Sequence, residues 1–527
     1  MKKFITLAII ATLFAGVTTS CVKDLNVIPI DPNLDLPSDI LSSEAAYGQV
    51  LAQCYAGLSE SSSIGIDSDP NIDGVDGGYG QYMRALFYLN EIPTDEANCC
   101  WNDKTLSDIR RNKWATSDVF VMSMFARIYF QISQCNEFIR KANASQWADS
   151  QNMKQWIAEA RALRALSYYH AIDMFGNLPF ATEENTVGSV GPESKSRADM
   201  YEWLVKEIQD FTPGLLKRPD ASNYGRCTQM MAKMLLAKLY LNAEVYTGGK
   251  TAAWKECAAV CKEIMAEYPV LHDKWSELFG ASNKDCLDEI IFVAQSDPRY
   301  MKSYGNTTFL IKATIPSGNA ALCALLGVGD GWGGLTVRPE FVDLFDESDP
   351  RYTFHDCSAY VTDPSEVHTK AMTDDSSFPG SGLCVAKFTN LLSDGSTPAD
   401  ISFPETDCPI FRSADAYLML AECGLHDNTF APEGQAAMNM VRDRVGLSPV
   451  TLTAESLLAE RGRELYWECH RRSDLVRFGK YAGAGQAIWS YKGGIPEGQE
   501  IDAKYNLFPI PANEINSNPN LVQNPGY

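Results

Sequence analysis

The chain has 527 residues, enough for one large domain or two medium ones. Hydrophobic residues make up 45% and charged residues 21%, an ordinary globular balance. With 67 acidic against 45 basic side chains, the net charge of −22 argues against gripping nucleic-acid phosphates or anionic lipid and favours a neutral ligand.

At the start, Lys2 and Lys3 precede an apolar run from Phe4 to Val17, and Thr18, Thr19 and Ser20 lead to Cys21. This is the tripartite layout of a secretory signal, and the run is shorter than the roughly 20 apolar residues of a bilayer span. A cysteine at the expected cleavage point predicts lipoprotein processing: residues 1–20 are removed and Cys21 is lipidated, holding a soluble body at a membrane surface. An ordinary signal peptide with an incidental cysteine is the other reading, and Thr18 departs from the larger apolar residue usual there. Residues 21–45, with Pro29, Pro32 and Pro37, read as a tether. A single domain is expected over 46–527, with no later segment apolar enough to span a membrane.

Residues 60–83 form a Gly/Asp/Ser-rich loop longer than ordinary connections, and its tyrosines and alternating Asp and Gly favour an ordered binding loop. Helices follow. Asp118 is placed to cap a run containing Val121, Phe125, Ile128, Ile132 and Phe138. A second helix is predicted over Met153–Phe175, stopped by Gly176 and Pro179. A third runs from an Asp199 cap to Phe211, a fourth over Arg226–Tyr246 and a fifth over Ala252–Glu267. Small residues such as Ala160, Ala162 and Ala165 suit close helix contacts. The pattern predicts an all-α, tetratricopeptide-like solenoid of degenerate repeats at about 118–270 and 410–480. Between about 280 and 408 the helical period fades, and GDGWGG (329–334) and GSGL (380–383) mark a loop-rich insert suited to ligand contacts. Helices return over Ala414–Cys423, Glu433–Val445 and Thr453–His470, before a polar closing coil.

The fifteen cysteines are scattered, mostly in apolar helical settings, which is unlike a small disulfide scaffold. Adjacent Cys99 and Cys100 fit either two thiols or a vicinal disulfide. The six histidines lie far apart with none at metal-ligand spacing, so no metal site is expected. Asn71, Asp73 and Asp76 lack the full calcium-loop pattern. No HExxH, GxSxG, Walker loop or dinucleotide fingerprint occurs, and no cofactor is expected.

Four segments carry distinctive patterns: EARALRALSYYHAIDMFGNLPF (159–180), RGRELYWECHRRSDLVRFGKY (461–481), the closing YNLFPIPANEINSNPNLVQNPGY and the opening CVKDLNVIPIDP. Together they resemble one family, the SusD/RagB-like outer-membrane lipoproteins of the Bacteroidetes. The first is similar to its signature helix, the second to its C-terminal Arg/Asp helix end, and the last two to its two ends. The resemblance implies a tetratricopeptide-like helical fold, a surface-exposed outer-membrane location and a non-catalytic role. In that role the protein captures oligosaccharide or polysaccharide for a SusC-like TonB-dependent outer-membrane porin.

NEIPTDE (90–96), DGVDGGYGQYMR (73–84), RYMKSYGNTTFL (299–310) and DGWGG (330–334) further resemble the ligand-contacting regions of the family's founding starch-binding member. That match implies Trp101, Tyr304 and Trp332 as aromatic platforms and Asp76 and Arg84 as polar contacts. Cys99 stands at a second aromatic position and Lys104 at an amide position, which puts the exact glucan preference in doubt. Taken from the residues alone, Tyr304 reads as core, Arg84 as a structural ion pair and Trp101 as either. Trp332, among Gly331, Gly333 and Gly334, reads as exposed. A pyranose offers an apolar C–H face to aromatic rings and a hydroxyl rim to fixed polar groups.

Starch or malto-oligosaccharide is the expected ligand, with fructan or host glycan as the alternative. Glu460, Glu464 and Glu468 share a helix face among arginines and read as an ion-pair network. A surface glycosidase using Glu468 or Asp76 is the competing enzymatic reading, and a sugar-free assembly scaffold is a third.

Overall fold

A computed structural model of the chain describes residues 41–62, 65–66, 70–185 and 191–527. The expected signal peptide, the lipidation site Cys21 and residues 21–40 of the expected tether lie outside the described residues. The chain divides into a unit of residues 1–49, described from 41 onward, and a unit of residues 50–527. Helix α1 (Glu44–Ala56) runs across that division. Among the described residues, no helix is long and apolar enough to cross a membrane.

The body is mostly helical. After α2 (Tyr82–Asn90), β1 (Ala97–Cys99) and α3 (Leu106–Arg110) comes α4 (Val119–Asn143). Asp118 caps α4, its carboxylate accepting from the amides of Phe120 and Val121, two of the donors a helix start leaves open. The buried Val121, Phe125, Ile128, Ile132 and Phe138 line one face, as their spacing requires.

Helix α5 (Gln151–Phe175) lies against α4, capped by Ser150 and ended by Gly176 at φ 73°, a conformation glycine adopts without strain. From Ala158 to Phe175 almost every α5 residue is buried, so packed neighbours surround this half of the helix. Its alanines at 160, 162 and 165 have no exposure. Arg161 and Arg164 both pair with Glu207 on α6 (Arg197–Phe211). The short strands β2 (Leu178–Pro179) and β3 (Ser194–Lys195) lie between α5 and α6, and helix α7 (Gln229–Leu241), short α8 (Ala243–Thr247) and α9 (Trp254–Glu267) complete the first set.

The insert carries β4 (Ile290–Ala294), α10 (Asn306–Lys312), α11 (Ala320–Leu326), β5 (Leu335–Val337), α12 (Pro339–Val342), β6 (Phe354–His355) and β7 (Cys384–Val385). Beyond it lie β8 (Cys408–Arg412), α13 (Ser413–His426), α14 (Ala431–Arg444), α15 (Ala454–Leu465), α16 (Arg471–Arg477) and α17 (Ala512–Ser517). Helix α13 packs on α9, α7 and α14, joining the two helical sets in a tetratricopeptide-like arrangement. The sheets among the described residues are two-stranded and antiparallel: β1 with β5, β4 with β8, β6 with β7, and a short pair at 178–179 and 194–195.

Four local expectations differ from the structure. The third helix is capped by Ser196; Asp199 takes the position three residues on and accepts a 2.6 Å hydrogen bond from the Ser196 hydroxyl. The Ser-x-x-acid pattern thus starts the helix three residues, nearly one turn, earlier than expected. The fourth helix breaks at Asn242, whose side chain donates to the Lys238 carbonyl. The loop expected over 60–83 gives way at Tyr82 to the buried helix α2, which carries Arg84 and was not among the helices predicted individually.

The helix expected over Thr453–His470 stops at Leu465. Trp467 and Cys469 then adopt left-handed φ of 62° and 64°, at a cost of roughly 1–2 kcal/mol each. Buried cations satisfy the opened backbone: Lys387 donates to the Tyr466 carbonyl and Arg412 to that of Glu464. The Trp467 amide donates to Glu96 at 2.6 Å.

The same segment carries the predicted row of carboxylates. Glu464 accepts from Arg351, Arg412 and Arg444 at 3.0, 3.0 and 2.6 Å. Glu460 pairs with Arg351, Arg442 and Arg463, and Glu468 with Arg412 and Lys387. Burial alone raises the pKa of Glu464, but Arg444, Arg412 and Arg351 hold it well below the carboxylate range. Lys387, also fully buried, is pulled down to about 8 mainly by desolvation. These carboxylates form an ion-pair network.

Removing one partner of such a network strands its counter-charges. Glu464→Gln is therefore expected to destabilise the fold by roughly 3–5 kcal/mol. Denaturant unfolding of wild type and variant measures it, and a change within about 0.5 kcal/mol, the range of surface substitutions, contradicts the interpretation.

Candidate functional site

An open cleft has a volume of about 990 Å³. Arg84 of α2, Trp101 after β1, Tyr304 before α10 and Trp332 before β5 all line it, although they come from three distant segments. Asp76 is exposed and does not line the cleft. One of its oxygens accepts from the amides of Gly78 and Tyr79 at 2.8 and 3.1 Å, so it shapes the turn that brings Tyr79 to the wall.

Arg84 is the hub of this wall. Its guanidinium carbon lies 4.5 Å from the centroid of Phe309, 5.4 Å from Trp101 and 5.7 Å from Trp332, all within cation–π range. Nε donates to the Tyr88 hydroxyl at 3.0 Å, and Nη1 to the carbonyls of Gly78 and Tyr304, each at 2.9 Å. Nη2 makes no hydrogen bond among the described residues. A buried guanidinium held by three hydrogen bonds is a rigid part of the cleft wall.

Backbone geometry fixes the indoles. Gly333 accepts from the Trp101 indole nitrogen, and a Cβ on Gly334 (φ 153°) would lie 2.2 Å from that same nitrogen. Only glycine leaves room for the ring. The Trp332 amide donates 2.8 Å to the Lys312 carbonyl, while a Cβ on Gly331 would meet the Ile315 carbonyl at 2.6 Å. The glycines thus press the loop onto the end of α10 and leave the Trp332 ring half-exposed.

The aromatic faces are not coplanar. Tyr304 stands at 90° to Trp332 with centroids 5.6 Å apart, and lies at 24° to Phe403 at 6.0 Å. Phe403 went unrecognised in the sequence because its segment, SDGSTPADISFPET, has no periodic pattern. Lys312 and Asp330 also line the cleft as an ion pair, and Asp330 accepts from the Trp332 indole at 3.2 Å. Asn102 and Asp103 complete the polar rim. Their place directly after Trp101 was the available clue.

Neither departure from the family pattern faces the cleft. Cys99 is fully buried on β1, where it pairs with Leu335, and burial pushes its thiol up to about 12. Lys104 is exposed outside the lining. The cleft therefore offers a bent set of aromatic faces, fixed donors and acceptors, and two cations already bound to protein groups.

Residues 288–527 match the model of the SusD family, and residues 42–241 match a model described as starch-binding, associating with outer membrane. The chain is 31% identical to the Starch-binding protein SusD of Bacteroides thetaiotaomicron, over 100% of this chain and 99% of that one. Surface glycan-binding protein A from Bacteroides fluxus superposes with a TM-score of 0.69 at 20% identity, covering 92% of this chain and 100% of that chain. Surface glycan-binding protein A from Bacteroides thetaiotaomicron, solved in complex with laminarihexaose, gives 0.69 at 18% identity, covering 91% and 99%. The two structural likenesses show the fold.

Gly334→Ala is expected to expel the Trp101 indole and cost roughly 1–3 kcal/mol through overpacking. A red-shifted tryptophan emission, absent when the substitution is made in a Trp101→Phe background, reports it. An unchanged spectrum with unchanged stability refutes the packing argument.

Proposed function

The chain belongs to the SusD family, and we propose that it is a non-catalytic glycan-binding protein of the outer-membrane surface. On this reading it captures starch or malto-oligosaccharide and passes it to a SusC-like TonB-dependent porin, while a lipid on Cys21 holds it at the membrane. The observation that carries the reading is the convergence of Trp101, Trp332 and Tyr304 around Arg84 in one open cleft.

Pyranose C–H faces would lie on the half-exposed rings, each aromatic contact adding roughly 0.5–1.5 kcal/mol beyond burial of its area. The right angle between Tyr304 and Trp332 suits a curved chain such as an α-glucan better than a flat ribbon. Arg84, with Asn102 and Asp103, would meet the hydroxyl rim. Asp76 acts through the turn it caps, and its proposed role is to position the wall.

The enzymatic alternative loses support because Glu468 is held by Arg412 and Lys387 and is absent from the cleft lining. A second neutral glycan remains a specific rival, since a relative of the same fold was solved with laminarihexaose.

Affinity gel electrophoresis on starch, laminarin, fructan and mucin separates these readings. Retardation by starch is expected, weakened roughly 5- to 30-fold by Trp332→Ala or Trp101→Ala, the equivalent of about 1–2 kcal/mol. Retardation by laminarin, fructan or mucin alone rejects the starch assignment. Retardation by none rejects glycan capture, and cleavage of maltoheptaose rejects the non-catalytic role.

A further inference from the structure

Away from the cleft, three buried side chains of the insert gather around one point. Cys357, His368 and Cys384 each offer a ligand atom, and these atoms lie within 4.8 Å of one another. Their exposures are 1, 1 and 2%. Widely spaced in the sequence, they meet because β6 and β7 pair with His355 opposite Cys384, and the His368 amide donates to the Asp356 carbonyl at 2.8 Å.

The histidine carries a second, independent signal. Its Nδ1 lies 3.0 Å from the Gly382 carbonyl, which can only accept, so that nitrogen bears the proton. Nε2 therefore holds the lone pair, yet it is buried and has no hydrogen-bond partner among the described residues. A ring pinned through Nδ1–H to a backbone carbonyl with a bare Nε2 is the arrangement that orients a histidine toward a metal. Left empty, the same nitrogen is an unpaid desolvation cost of about 1–3 kcal/mol.

The two sulfurs are 3.2 Å apart. Tetrahedral zinc with bonds of about 2.3 Å to each sulfur spaces them about 3.7 Å apart, so the pair must open by only about half an ångström. Cys357 sits at φ 62°, a left-handed conformation uncommon for a side-chain-bearing residue.

We propose that Cys357, His368 through Nε2, and Cys384 form a binding site for a divalent cation of the zinc type. On entry the ion displaces one proton from each thiol to the buffer. Two thiolates and a neutral imidazole then leave the buried site with no net charge. This balance favours Zn²⁺ over a monovalent soft ion, and the absence of oxygen ligands disfavours calcium or magnesium.

Bound there, the ion would cross-link loops that back the cleft. The His368 ring packs edge-on to Phe378 at 4.6 Å, and Phe378 occupies the space a Cβ on Gly333 would enter. Leu383, next to Cys384, accepts from the Val337 amide of β5 at 2.9 Å. Metal loading should therefore raise the melting temperature by mass action.

Cobalt is the probe. The full chain, reduced and stripped with chelator, is titrated anaerobically with Co²⁺ and then with Zn²⁺. One equivalent of Co²⁺ is expected to give thiolate-to-cobalt absorption that Zn²⁺ abolishes, and either ion is expected to raise the melting temperature. Cys384→Ser and His368→Gln should each weaken binding roughly 100-fold or more, while Cys257→Ser, a thiol elsewhere, should not. Thermal melts of the variants without metal identify any that fail to fold, and the wild-type titration decides the question regardless. The proposal is overturned if wild type shows no cobalt–thiolate band, if folded variants bind as tightly as wild type, or if mass spectrometry finds Cys357 and Cys384 joined by a disulfide in the isolated protein.

Discussion

Arg412 and Glu464 meet where β8, α14, α15 and the turn before β4 converge, and neither reaches water. Taking such ions into the interior costs several kcal/mol each, and only well-placed partners offset it. Here the partners come from different layers. Glu289 precedes β4, Arg444 closes α14, and Arg351 and Lys387 belong to the insert. Apolar side chains tolerate sliding, whereas paired guanidinium and carboxylate groups are directional. The network therefore fixes where the loop-rich insert sits on the helical repeats.

From this anchor the geometry passes outward to the cleft in short steps. Glu96, whose carboxyl is raised to about 8 by burial, accepts the amide of Trp467 and immediately precedes β1. Arg338, just after β5, donates to the carbonyls of Ala97 and Arg110 and locks β5 beside β1. The two strands then deliver Trp101 and the Trp332 loop to the same place, with the amide of Cys100 donating to Gly334 at 2.8 Å. A cleft built from loops thus has rigidity borrowed from buried polar bonds rather than from regular secondary structure.

The helical layers were legible because long amphipathic runs with caps leave a periodic trace, as at Asp118 and along α4. The break after Leu465 left none. Its local sequence favours helix, and the groups that stop it, Lys387 and Glu96, are distant in the chain. Helix α2 was hidden for the opposite reason: every residue in it is buried, so no polar face marks its period. In the cleft, Trp332 could be read from its glycines, whereas Tyr304 reads as core and Arg84 as a structural ion pair when taken singly, and both needed the family resemblance. Phe403, in an aperiodic stretch, needed the fold.

The cleft also resolves a tension set by the composition. A net charge of −22 disfavours an anionic ligand, whereas Arg84 and Lys312 in the cleft would by themselves attract one. That attraction is reduced because both cations are already engaged: Arg84 by carbonyls and a hydroxyl, Lys312 by Asp330. Their remaining function is orientation. A held guanidinium loses little further freedom when a hydroxyl docks, so directionality comes at low entropic cost. Selection then falls to shape and to the angle between aromatic faces, the discrimination an uncharged, ring-shaped ligand requires.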